Sequence, residues 1–145
     1  MLYKDYLKKY PECPFCYRKN YIDQLISENE TSTLIISLAP YQRHHLLITP
    51  KRHLEKILDI TEKEMSDILK LQNLGIKILY GLNYKNMSIL VREGERIGKS
   101  VRHLHYHIIP DIIVGAIKIK HEERVISTSE EIIKIREEIN NILIL

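Results

Sequence analysis

The chain has 145 residues, of which 44% are hydrophobic and 28% charged, and a formal net charge of +3. This length suits one globular domain with a sizeable core. The small positive balance excludes a dedicated nucleic-acid binder but fits a phosphate-bearing small molecule if the cations gather at one place. The first ten residues are polar and lack the apolar run of a leader, and no apolar stretch reaches the length of a membrane span. A cytoplasmic setting with reduced thiols is therefore expected.

In chain order, residues Leu2 to Lys9 read as a short helix ended by Pro11. The only cysteines follow in Cys13-Pro14-Phe15-Cys16. In a reducing compartment such a pair means metal or redox chemistry. A redox motif should follow a buried strand and open a helix, and the polar, Lys-rich segment upstream is no buried strand. Half of a zinc site is the better reading, with histidines completing it because there is no other cysteine. Thr33 to Leu38 is β-branched and apolar, a strand. Pro40 to Arg43 is a turn, and His45 to Thr49 is a second strand stopped by Pro50. The short connection makes the two antiparallel.

Thr61-Glu62-Lys63-Glu64 is a capping box. Apolar residues at Met65, Ile68, Leu69, Leu71, Leu74, Ile76, Ile78 and Leu79 extend it into a long amphipathic helix, which Gly81 and Asn83 stop. Met87 to Arg92 is a third strand, and Glu93 to Lys99 is a loop with two glycines. Residues Ile112 to Ser127 are weakly patterned. Ser127-Thr128-Ser129-Glu130 opens a final helix through Leu145, with Ile132, Ile133, Ile135, Ile139 and Ile142 on or near one face. The fold class is α+β: a single domain over residues 1–145, with an antiparallel sheet of about five strands, a long helix on one face and a C-terminal helix.

The most informative segment is His103-Leu104-His105-Tyr106-His107, ending at Pro110. In a strand, residues at i, i+2 and i+4 share a face, so the three imidazoles would point one way while Leu104, Tyr106 and Ile108 pack behind. An amphipathic strand gains little from histidine on its polar side. A three-histidine metal site fits poorly, because residues four apart on a strand lie roughly 13 Å apart at Cα. The remaining reading has one histidine as nucleophile and its neighbours in other roles.

Together these motifs resemble the histidine-triad (HIT) superfamily of nucleotidyl hydrolases and transferases. His103-Leu104-His105-Tyr106-His107-Ile108-Ile109 matches its H-φ-H-φ-H-φ-φ signature, where φ is apolar. Gly98-Lys99-Ser100-Val101-Arg102 matches the segment before it. Pro40-Tyr41-Gln42-Arg43-His44-His45-Leu46-Leu47-Ile48-Thr49-Pro50-Lys51-Arg52-His53 resembles the upstream P-x-x-x-G-H-L-L-V-I-P-K-x-H stretch, and the cysteine pair resembles that of the zinc-bearing members. The motifs keep family order from residue 13 to 110.

The resemblance implies that His105 attacks the α-phosphorus of a nucleotide, forming a nucleotidyl-imidazole that water or phosphate resolves. It implies that His107 and His45 orient the nucleophile and touch phosphate oxygens, and that Ser100 donates hydrogen bonds to the substrate. It further implies a closed, structural zinc site of Cys13, Cys16, His53 and His103, and Mg²⁺ accompanying a polyphosphate substrate. Three positions depart from the family pattern. Ser37 stands where an acidic residue or Asn holds the ribose. Arg92 replaces a common Asn, and Lys99 replaces a polar residue that is often Gln. Arg92 and Lys99 would add charge for a longer polyphosphate, unless they are solvated surface charges. His44 replaces the usual Gly and has no assigned role.

The function implied is cleavage at the α-phosphate of a nucleoside phosphoramidate or a dinucleoside polyphosphate. The alternatives are a diadenosine tetraphosphate phosphorylase, a nucleotide-binding regulatory module with negligible turnover, and a zinc-stabilised interaction protein. A homodimer through the long helix and the strand Met87 to Arg92 is also implied. The apolar excess of both elements supports it, and the competing reading is that the C-terminal helix covers that surface.

Overall fold

Two central segments owe their near-continuous apolar sequence to burial on both faces. In the computed structural model, which describes residues 1–9, 12–94, 101–113, 115 and 124–144, every residue of β2 (Ser32–Ile36) and β3 (Leu46–Pro50) is buried. With β1 (Leu25–Glu28), β4 (Met87–Val91) and β5 (Tyr106–Pro110) they form a five-stranded sheet of order β1-β2-β3-β5-β4. All pairings are antiparallel.

Alternation along the strands divides the sheet's side chains between two layers. Leu34, Ile36, Leu46, Ile48 and Ile108 pack against Ile68, Leu71, Ile78 and Leu79 of α2 (Glu62–Gly81) and Ile132, Ile135 and Ile139 of α3 (Ser129–Ile144). Gly75 permits the close approach: a Cβ there would lie 2.7 Å from Cδ1 of Ile108. On the opposite face Ile35 and Leu47 pack with Phe15, Tyr21 and Val101, and with Tyr3 and Leu7 of α1 (Tyr3–Lys9).

The predicted helices form for the predicted reasons. Thr61 and Glu64 exchange both capping-box bonds, and the chain leaves α2 through Asn83 in the left-handed region (φ 68°). The last helix has a reciprocal cap of its own: the Thr128 hydroxyl accepts from the Glu131 N–H at 3.2 Å, and the Thr128 N–H donates to the Glu131 carboxylate at 2.7 Å. Among the described residues, no helix is long and apolar enough to cross a membrane.

Two expectations change. Sequence patterning did not reveal β1; only Leu25 and Ile26 mark it, and pairing with β2 supplies what local propensity lacks. The histidine strand is shorter than predicted, because β5 begins at Tyr106 and residues 101–105 are irregular. The backbone N–H of Leu104 bonds to the Leu54 carbonyl (2.6 Å), not to a sheet neighbour. His103 is thereby diverted from the face shared by His105 and His107.

The C-terminal helix covers only part of α2. Gly81 lies under Ile142, whereas Met65, Leu69 and Tyr80 remain exposed, as does Ile89 on β4 at the sheet edge.

Candidate active site and metal cluster

The departure of His103 from the strand has a chemical destination. Cys13, Cys16, His53 and His103 converge with their ligand atoms within 4.8 Å of one another. The Cys13 and Cys16 sulfurs lie 3.4 and 3.5 Å from His103 Nδ1, and Cys16 Sγ lies 3.1 Å from His53 Nδ1. Such separations suit a tetrahedral cation with bonds of roughly 2.0–2.3 Å, so these four residues can hold a metal ion. His103 Nε2–H donates to the Pro50 carbonyl (2.7 Å), which leaves its Nδ1 lone pair facing the sulfurs. Burial, and after it the Cys13 thiol, push the Cys16 thiol up to about 11. Metal binding must displace that proton and is therefore strongly pH-dependent.

A second chain of hydrogen bonds sets the tautomers of the other histidines. The His103 carbonyl accepts from His105 Nδ1 at 2.8 Å. A carbonyl cannot donate, so the proton is on Nδ1 and the His105 Nε2 lone pair is available. The Tyr41 backbone N–H donates to His45 Nδ1 (3.2 Å), which makes His45 Nε2 the donor to His107 Nδ1 (2.9 Å). His107 therefore carries its proton on Nε2. Arg92 Nη2 lies 3.4 Å from that nitrogen. Two donors side by side are not a bond to each other; they form a place for an anionic oxygen.

His105 and His107 have ring centroids 4.8 Å apart. Both line a cavity with Phe15, Ser37, Arg92 and Arg124. Burial first, then Arg124, His105 and Arg92, hold His45 well below the ordinary 6.5. Burial first, then the two neighbouring histidines and the two arginines, do the same for His107. Both rings are neutral near pH 7.

The structure thus brings His45, His105, His107, Ser37 and Arg92 together, and Cys13, Cys16, His53 and His103 beside them. Arg92 is no solvated surface charge, since it also bonds to the Tyr41 hydroxyl (3.2 Å). Lys99 and Ser100, with Gly98, lie outside the described residues. His44, unassigned from sequence, has φ 63°, the left-handed region that a Gly adopts freely. Its Nδ1 meets the Tyr84 hydroxyl at 2.7 Å and its Nε2 meets Glu138 of α3.

Sequence reasoning missed Phe15, Tyr41 and Arg124. Phe15 touches the rings of both His103 and His105, and Tyr41 stacks near His45. Both stand inside motifs already singled out. Arg124 lies within the weakly patterned stretch Ile112 to Ser127, which offered no signal.

A family model described as HIT domain matches residues 18–112. Among curated proteins, the bis(5'-adenosyl)-triphosphatase of Dictyostelium discoideum is 28% identical over 88 residues, covering 60% of this chain and 59% of that protein. The adenosine 5'-monophosphoramidase hnt1 of Schizosaccharomyces pombe is 29% identical over 85 residues, covering 59% and 62%. The chain thus matches only about three fifths of the length of these relatives. A hypothetical histidine triad nucleotide-binding protein of Sulfolobus tokodaii superimposes with a TM-score of 0.72 at 24% identity, over 90% of this chain and 91% of that one. A Zn-bound histidine triad family protein of Mycobacterium smegmatis gives 0.55 at 18% identity, over 96% and 92%. At these identities the structural likeness establishes the fold.

The neutral histidines carry a pH signature. Unfolding returns His45 and His107 to the ordinary 6.5. Below that value the unfolded chain binds protons that the folded chain refuses, so the stability associated with the pair is complete above 6.5 and declines as pH falls. Imidazole NMR signals of His45 and His107 should remain those of the neutral ring as the pH is taken below 6.5 and an unperturbed histidine becomes protonated. Titration of either ring near 6.5 would show that burial does not control it.

Proposed function

Because the chain belongs to the HIT family, we propose that it is an enzyme: a nucleotidyl hydrolase or transferase. It cleaves at the α-phosphate of a nucleoside phosphoramidate or a dinucleoside polyphosphate through a nucleotidyl group carried on His105. The hydrogen bond from His105 Nδ1 to the His103 carbonyl carries this reading. It leaves Nε2 as a neutral nucleophile that needs no deprotonation, in a cavity shared with His107 and Arg92. The names of the relatives, a triphosphatase and a phosphoramidase, support the same substrate class.

In the first step the Nε2 lone pair forms an N–P bond. The bond from phosphorus to the leaving group breaks, and its electron pair departs with the phosphate, or with an amine whose nitrogen takes a proton from solvent as it leaves. The ring becomes cationic, and the His103 carbonyl dipole, still bonded to Nδ1–H, favours that charge. His107 Nε2–H and Arg92 offer donors to the phosphoryl oxygens as negative charge develops there. In the second step water attacks phosphorus, the N–P pair returns to Nε2, and the water proton passes to solvent. The relay from Tyr41 through His45 to His107 does no proton chemistry of its own. It holds one donor in position.

The Cys2His2 cluster suits zinc, with soft thiolates and imidazoles filling all four positions and none left for substrate. Its role is structural, and reduced thiols fit a cytoplasmic setting. Mg²⁺ would accompany a polyphosphate substrate as a charge partner. The surface left by Met65, Leu69 and Tyr80 on α2 and Ile89 on β4 is assigned to a second copy, joined across a two-fold axis.

Three measurements test these statements. Quenched turnover of labelled diadenosine polyphosphate or adenosine phosphoramidate should trap a nucleotidyl group on His105. His105→Asn should lower turnover by more than about a thousandfold while nucleotide binding persists; a near-normal rate would exclude the covalent route. Protein purified without added metal should carry near-stoichiometric zinc. Cys13→Ser should lower the melting temperature by about 10 °C or more, with smaller effects on nucleotide affinity. A fully stable, active protein without metal would remove the structural role. Light scattering at low micromolar concentration should report a dimer, whereas a 17.2 kDa particle would leave this surface to something other than a second copy.

A further inference from the structure

The segment from Arg124 to Ser127 is clipped to the start of the chain and to Leu38. The Tyr3 N–H donates to the Arg124 carbonyl (3.1 Å), Ile126 N–H to Met1 (3.2 Å) and Ser127 N–H to Leu38 (2.7 Å), and Leu2 bridges Val125. This clip turns the Arg124 side chain inward, where it is only 9% exposed. Its guanidinium lies 5.1 Å from the Tyr3 ring and 4.4 Å from the Tyr41 ring, and its Nη1 donates to the Ala39 carbonyl at 3.1 Å. The Arg92 guanidinium is 5.8 Å from the same Tyr41 ring. One aromatic ring thus serves two cations, and both arginines line the cavity of His105 and His107. None of the described residues lining that cavity is Asp or Glu.

Placing two guanidinium groups together in a partly dry pocket is unfavourable by Coulomb repulsion and by desolvation. Stacking on aromatic rings offsets part of that cost. Burial, and to a lesser degree Arg92, bias Arg124 against its charge, while Tyr41 and Tyr3 act the other way; guanidinium nonetheless remains protonated in proteins. Because His45 and His107 are neutral, the fixed charge of the pocket comes from its arginines. An anion with several oxygens is attracted to both guanidinium groups at once. A neutral amine gains nothing from either charge.

We propose that Arg124 is a specificity-determining residue for the leaving group. Beside Arg92, which meets the transferred phosphoryl group, it grips the phosphates beyond the scissile bond, so the enzyme prefers substrates whose leaving group is itself a nucleotide or polyphosphate over those releasing an amine. This rests on the nucleotidyl-transfer reading above.

Binding, read without turnover, separates the two claims. Calorimetry of AMP, ADP and ATP is carried out at low salt on metal-loaded His105→Asn protein, with Arg124 intact, Arg124→Met or Arg124→Lys. With Arg124 intact, affinity should rise by about tenfold or more from AMP to ATP. Arg124→Met should reduce that ratio to below about threefold and leave AMP affinity nearly unchanged. Arg124→Lys should give an intermediate ratio, because it keeps the charge and loses the fork. If the Met variant does not fold, the Lys variant decides: an undiminished ratio overturns the proposal. An unchanged ratio in the Met variant, or equal loss for AMP and ATP, also overturns it. Tight AMP binding with no gain for ATP in the Arg124 protein defeats this proposal alone. No binding of any of the three nucleotides defeats the nucleotidyl-transfer reading, and this proposal with it.

Discussion

The pairing of β3 with β5 is the constraint on which the site depends. Leu47 stands opposite His107 in that register, and His45, just before β3, lies on the same side as Leu47. This brings His45 Nε2 within 2.9 Å of His107 Nδ1 across a sequence gap of 62 residues. A slip of one residue would turn His107 toward α2 and bring Tyr106 or Ile108 to the cavity. The slip is prevented from the far side of the sheet, where Ile108, Leu46 and Ile48 are fully buried beneath α2. The apolar core thus sets the geometry of a polar relay through alternation alone.

The four candidate metal ligands and the histidine relay are joined at His103 and Phe15. His103 gives its ring to the cysteines and its carbonyl to His105. Phe15, between the two cysteines in sequence, packs on the rings of both histidines. Order among the four candidate ligands is therefore order at His105. The break in strand geometry before Tyr106 makes this possible, because an unbroken strand would hold His103 on the face of His105 and away from Cys16.

The C-terminal helix supports the same machinery from outside. Glu138 meets His44 and lies 2.6 Å from Arg43, and Ile132, Ile135 and Ile139 enter the main core. The turn they steady carries Tyr41 and His45. A non-glycine residue at φ 63° costs of order 1–2 kcal/mol. His44 offsets this with contacts to Glu138 and Tyr84 that glycine could not make.

Much of this molecule was legible in its sequence because the signals are local. Apolar, β-branched runs marked β2 and β3, period-two alternation marked the histidine segment, a capping box marked the start of α2, and a Cys-x-x-C pair behind a polar segment pointed to half of a metal site. The triad signature singled out His105 and His107, which the fold brings beside His45. What the sequence could not show depends on distant groups. His103 leaves the strand because Leu54 and the cysteines, far away in sequence, claim its neighbour's backbone and its ring. β1 exists because β2 needs a partner, and four residues of modest propensity do not announce a strand. Arg124 enters the site because the first residues of the chain clip its backbone in place. Side-chain periodicity is a property of a few consecutive residues and can be read from them; tautomer, charge placement and ligand convergence belong to groups that only folding brings within hydrogen-bond reach.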